Sequence, residues 1–462
     1  MPAIDPAAKS RNRKKIDTVR PTTACPVCSR DARGEWTSLE SLPNDIAKLI
    51  RANAPDVGDF SAVCTRCADL FTRAKDEIIK DAAVQKDGSH VLSTPLRLDA
   101  DARYTGKGVT IAFLDSGFYP HVDLTTPENR IIAYRNLLDE DGDLTTLFEP
   151  DVASWHGMMT SVVAAGNGSL SNGFYRGIAC DSDVVLVKLA RTGRISDQNI
   201  LDGLNWILEH REKYNIRIVN ISAGGDGVAS YLHDPVSQAV EECSREGILV
   251  VCAVGNAGHI PGHPVVPPAS APSCIAVGGL DDHNSLNRAR RGMYRSSYGP
   301  TVDGLQKPEV IASSIWVPAP ILPNTPTAAQ AELLSLLDSA PDEELYEILE
   351  KYPGIDPELD AAADREPHSI RQIITLKIRR ENVITAHYKY VDGTSFAAPI
   401  VSSVAAQMIE AAPELTPSEV KNILISTAER LPLYEVDRQG WGVIDARKAV
   451  EAAVEAAHRT ET

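Results

Sequence analysis

The stretch VTIAFLDSG (residues 109–117) decides how the rest of the chain is read. A nearly unbroken apolar run stops at Asp115, and a glycine follows two residues later. A strand with one wet face alternates apolar and polar residues, whereas a strand covered on both faces, as in a parallel sheet, does not. The same pattern returns in DVVLVKLA (183–190), IRIVNISAGG (216–225), GILVVCAVGNAG (247–258) and SCIAVGG (273–279). Helical patterns lie between these runs. In residues 196–214, Ile200, Leu204, Ile207 and Leu208 share one face, and the pattern over 234–247 ends at Gly247 as a C-terminal stop. Thr416 and Glu419 form a capping box around Pro417 at the first helical position. Strands alternating with helices predict an α/β fold with helices on both faces of a parallel sheet.

The chain has 462 residues, 43% hydrophobic and 24% charged, with a net charge of −17. An acidic body argues against a general nucleic-acid binder or an anionic-membrane binder. The basic run over residues 9–20 belongs to a segment, 1–20, expected to be a disordered tail. No apolar stretch of signal-peptide length opens the chain and no run of 18 apolar residues occurs, so a cytoplasmic location is expected.

Of eight cysteines, Cys180, Cys243, Cys252 and Cys274 are scattered among apolar neighbours and read as buried thiols. The other four make CPVC (25–28) and CTRC (64–67). Each C-x-x-C turn sets two thiolates together, and two such turns complete a closed tetrahedral Zn2+ site of Cys25, Cys28, Cys64 and Cys67. Disulfide or redox use has the same cysteine count, but a reducing compartment disfavours it. Residues 21–90 are therefore expected to be a small zinc-binding module with structural metal, with residues 42–55 contributing a short helix.

From 318 to 389 the alternation breaks. Prolines punctuate WVPAPILPNTP (316–326), which reads as a stiff exposed linker into a small helical insertion carrying Leu333, Leu334, Leu337, Leu345, Ile348 and Leu349.

Four polar residues stand where an open α/β sheet gathers its chemistry, at strand ends and helix starts. They are Asp115, His156 at the head of HGMMTSVVAAG, Asn256 and Ser395 in GTSFAAP. Taken singly, each is an ordinary cap or turn residue. Together, an acid, an imidazole and a hydroxyl in that order are the parts of an activated nucleophile, with an amide to face an oxyanion. Pro399 follows Ser395 by four residues, and periodicity gives no reason for it.

With these motifs in order over residues 104–453, the chain resembles the subtilisin-like serine proteases, the subtilases. GKGVTIAFLDSG with HVDL (121–124) resembles the aspartate motif and HGMMTSVVAAGNG the histidine motif, with Met159 where a second histidine often stands. NISAGG, AVGNAG, SSYGP, KPEVIAS and GWGVIDARKAV match further parts. The resemblance implies a protease domain over 91–458, interrupted by the insertion. It implies that Ser395 attacks a peptide carbonyl, His156 acts as general base and Asp115 orients it. Asn256 would join the Ser395 N–H at the oxyanion, and Ser222, Ala223 and Gly224 would pair with the substrate backbone.

The expected function is an intracellular serine endopeptidase of restricted specificity acting on a protein or peptide, regulated by the insertion or by a partner docked on the zinc module. The alternatives are an inert protease fold serving as a zinc-based binding scaffold, and an esterase or acyltransferase using the same residues. His259 and His263 lie just past Asn256, where they would favour an acidic substrate side chain or stand as ordinary loop histidines. Asp139, Asp141 and Asp143 have the spacing of a Ca2+ loop, but the glycine placement and the missing glutamate fail the EF-hand pattern, and a solvated acidic turn is the simpler reading.

Overall fold

A computed structural model describes residues 24–30, 32, 34–52, 54, 60–73, 75, 91–139, 144–192, 194–225, 227–260, 262 and 264–460. The basic tail, Asp141, Asp143 and His263 lie outside the described residues. The chain divides into two compact units, Met1–Arg73 and Ala74–Thr462.

In the second unit seven strands form a parallel sheet: β1 (Thr110–Asp115), β2 (Ile131–Asn136), β3 (Asp183–Lys188), β4 (Ile216–Ile221), β5 (Leu249–Ala253), β6 (Ile275–Asp281) and β7 (Val310–Ser313). Their order across the sheet is β7-β6-β5-β4-β1-β3-β2. β1 is central and every one of its residues is buried. Its side chains alternate between two cores, as the pleat requires. Ile111 and Phe113 join one with helices α1 (Ser154–Ala165), α6 (Thr394–Ala411) and α8 (Ala446–Thr460). Ala112 and Leu114 join the other with α2 (Asp197–His210) and α3 (Pro235–Arg245). The continuous apolar runs thus reflect burial on both faces. α2 buries Ile200, Leu204 and Ile207, and the capping box closes on α7 (Pro417–Thr427).

The chain leaves β1, lays down β2 and β3 on one side, then crosses to β4 on the other. Strand order reverses about β1, and the crevice beyond the carboxyl ends of β1 and β4 is where such sheets bind ligands.

The expected exposed linker is instead a buried strand. β8 (Val317–Pro320) pairs antiparallel with β9 (Tyr388–Val391), and all four β8 residues are buried. Pro318 and Pro320 are two apart, so both direct their missing N–H to the same side, which an edge strand tolerates. Between the two strands a helical subdomain, including α4 (Pro326–Ser339) and α5 (Pro367–Glu381), has its own core around Leu334, Leu337, Leu345, Ile370 and Ile374. Its return strand is tied down by Tyr388 Oη, which donates to the fully buried Asp123 carboxylate at 2.6 Å.

The first unit pairs strands Trp36–Ser38 and Ala62–Cys64 and carries helices Asn44–Ala52 and Thr65–Arg73 over Ile46, Ile50, Val63 and Phe71.

Candidate active site and cysteine cluster

Asp115 is the last residue of β1 and is 1% exposed. Its Oδ1 accepts from the Ser116 N–H at 2.7 Å and lies 2.7 Å from His156 Nδ1, and its Oδ2 accepts from Thr160 Oγ1 at 3.2 Å. A buried carboxylate held by this many donors stays in place and fixes the proton on Nδ1, leaving the other ring nitrogen as acceptor. His156 is the third residue of α1, its side chain 21% exposed. The next residue must be glycine for this approach: a Cβ on Gly157 would lie 2.2 Å from the Gly117 carbonyl oxygen. Burial pulls the imidazole pKa down, but the Asp115 charge and hydrogen bond outweigh it and hold the pKa above its ordinary value.

Ser395 is the second residue of α6 and half-buried. It is preceded by Gly393 at φ +139°, a backbone region that side-chain-bearing residues avoid. Ser395 Oγ donates to the Ser222 carbonyl at 3.4 Å, and among the described residues this is its hydrogen bond, with none to His156. In return Ser222 Oγ donates to the Ser395 carbonyl at 2.8 Å. Ser222 Oγ itself accepts from Asn220 Nδ2 at 3.1 Å, and Asn220 Oδ1 accepts from Ser402 Oγ at 3.1 Å. The imidazole packs between Trp155 and Phe396, with ring centroids 5.2 and 5.8 Å away.

Asn256 lies exposed past the end of β5. Its Oδ1 accepts from the Thr394 N–H at 2.9 Å and from Thr394 Oγ1 at 3.0 Å. Two donors on one side oblige the amide to present its oxygen there and its NH2 to the cleft. Ser222, Ala223, Gly224, Asn256, Thr394 and Ser395 border a cavity of about 250 Å3 whose remaining wall is Gly225, Ala253, Val254, Gly255, Pro264 and Val266. Among the described residues, no charged side chain lines it. His259 is exposed and is not part of this wall.

The structure thus brings Asp115 and His156 into one contact, joins Ser395 and Ser222 in another, and sets Asn256 beside them on the wall of the same cavity. The match to the Subtilase family runs over residues 106–442. The chain belongs to the subtilase family of serine proteases. This subtilase is 29% identical to the serine protease AprX of Bacillus subtilis over 354 residues, 75% of the chain and 67% of that relative. It is 33% identical to the minor extracellular protease Epr of the same organism over 40% of the chain and 25% of the relative. With the major intracellular serine protease of B. subtilis it shares 30% identity over 41% of the chain and 55% of the relative. The chain therefore spans about two thirds of AprX and less of the other two. Among solved structures, a protease from Pseudoalteromonas arctica PAMC 21717 superposes with a TM-score of 0.53 at 22% identity, covering 81% of the chain and 97% of the neighbour; that likeness is one of fold.

Thr160, Thr394, Asn220 and Ser402 escaped the sequence reading. Thr160 lies one helical turn after His156, on the same face of α1, and that spacing alone marks it as a neighbour of whatever His156 touches.

In the first unit, the sulfurs of Cys25, Cys28, Cys64 and Cys67 all lie within 4.8 Å of one another and all four residues are buried. Cys25 and Cys67 Sγ are 3.8 Å apart, and Cys28 and Cys64 Sγ 3.6 Å. These are not disulfide distances. Four thiolates at about 2.3 Å from one zinc ion sit about 3.8 Å apart, so the donor set fits a tetrahedral metal site. The first turn is closed by the Ser29 N–H donating to the Cys25 carbonyl at 2.8 Å with Ser29 at φ +58°, and the Cys64 N–H donates to Cys25 Sγ at 3.3 Å.

Proposed function

We propose that the chain is a serine endopeptidase in which Ser395 is the nucleophile, His156 the general base and then general acid, and Asp115 the residue that orients it. The observation that carries this is the 2.7 Å contact between His156 Nδ1 and the buried Asp115 carboxylate, beside a serine at the head of a buried helix. Rotation of the Ser395 hydroxyl from the Ser222 carbonyl toward His156 lets the imidazole take its proton as Oγ bonds to the peptide carbonyl carbon. The oxyanion is met by the Asn256 amide and the Ser395 N–H. His156 then protonates the departing amine, and water repeats the sequence on the acyl-enzyme. Ser222, Ala223 and Gly224 pair with the substrate backbone. The uncharged cavity beside them accepts an apolar side chain on the acyl side of the scissile bond, in place of an acidic one. The serine proteases among the relatives support the reading. It is tested by labelling with a fluorophosphonate probe and by mass spectrometry of a digested protein: labelling lost in Ser395→Ala and cleavage after apolar residues are expected, and wild type that neither labels nor cleaves ends the proposal.

We further propose that the four cysteines hold one structural Zn2+. Metal analysis of the purified protein is expected to return one zinc per chain, and Cys25→Ser to lose it. Four thiols retained as ligands suit a reducing, intracellular location, which fractionation of the source cells tests, and the unit around them is the part of the chain proposed to dock a regulatory partner.

A further inference from the structure

A second, larger cavity of about 610 Å3 shares no lining residue with the one just described and neighbours His156 through Trp155. Val152, Trp155 and Met159 line it together with Leu322, Thr327 and Val391 at the mouth of the helical subdomain; Lys389 and Asp151, which is ion-paired with Lys188, also line it. The apolar character continues onto the surface: Phe148, Val152 and Trp155, all in the segment leading to His156, are 65%, 80% and 45% exposed. Exposed apolar residues gathered beside a cavity mark a contact site. The cavity lies beside the catalytic residues: its wall residue Trp155 packs edge-on against the imidazole, and its wall residue Val391 lies four residues before Ser395.

On the reading above, the acyl half of the substrate is held by Ser222 to Gly224 and the smaller cavity, and His156 delivers its proton to the departing amine. The departing half of the chain therefore emerges on the His156 side. We infer that the larger cavity receives a bulky apolar side chain from the polypeptide on the leaving side of the scissile bond, and that the helical subdomain thereby sets specificity. This inference rests on the proposed endopeptidase activity. It also assigns a use to Met159, an apolar wall where a histidine would place a polar group.

The test compares quenched peptides of one acyl-side sequence carrying Phe, Leu, Ala or Asp at the first three leaving-side positions, together with a nitrophenyl ester that has no leaving peptide. Wild type is expected to favour Phe or Leu over Ala in kcat/KM by roughly tenfold or more at one position, the scale of apolar side-chain discrimination. Val152→Arg and Thr327→Trp, both at exposed positions outside the catalytic groups, are expected to abolish that preference and leave ester hydrolysis unchanged. Equal rates for all peptides in wild type, or a preference that survives both variants, overturns the inference while ester hydrolysis upholds the catalytic reading. Failure of wild type to hydrolyse the ester overturns both.

Discussion

Pro399 stands one helical turn beyond Ser395, at the position whose N–H would have bonded the Ser395 carbonyl. Proline has no N–H, and its ring crowds the carbonyl four residues back. The carbonyl is left for Ser222 Oγ, which donates to it at 2.8 Å. The missing helix bond thus becomes a tie between the first turn of α6 and the strand end that walls the cleft.

That exchange predicts compensation. Ser222→Ala leaves the Ser395 carbonyl without its donor and is expected to cost about 1 kcal/mol of stability in a denaturation series. Adding Pro399→Ala supplies an N–H and should recover much of the loss, whereas simple additivity of the two changes would exclude the exchange.

The acid limb of activity should lie above the ordinary imidazole value of 6.5, because the Asp115 charge and hydrogen bond outweigh burial at His156. Only neutral His156 serves as base, so kcat/KM rises with pH through that raised value. Stability moves the other way. The protonated form is favoured in the folded chain, so its contribution is complete below the unfolded pKa and is lost as pH rises through the folded one. Asp115→Asn should lower the pH midpoint and, by misplacing the ring proton, cut kcat by about 10^4-fold. An unchanged midpoint in the pH–rate profile would refute the assigned cause.

Thr160 acts through Asp115. Thr160→Val removes the donor to Oδ2, a charge-assisted bond whose loss is expected to lower kcat by roughly tenfold with little change in KM. Thr160→Ser keeps the hydroxyl and should restore the rate; failure of that rescue would reduce Thr160 to a packing residue.

The two units should part company on chelation. Stripping the cysteine site is expected to abolish one unfolding transition, that of Met1–Arg73, and leave the transition of Ala74–Thr462 in place. Calorimetry with and without chelator reads this directly, and a single transition unaffected by chelator would show that the cysteines hold no structural metal.

By itself the sequence determined the α/β class, the strand-end positions of Asp115 and Asn256, the helix-start positions of His156 and Ser395, and the pairing of two C-x-x-C turns. Each of these is a local signal: an apolar run, a cap, or a spacing of a few residues. WVPAPIL misled because proline content reads locally as linker, while its burial comes from pairing with Tyr388–Val391, some seventy residues on. The Ser222–Ser395 tie spans 173 residues and the Asp123–Tyr388 bond 265. Only tertiary structure decided these contacts, the lining of both cavities and the exclusion of His259 from the smaller one. Strand order and the reversal about β1 choose which distant loops meet, and no local pattern encodes that choice.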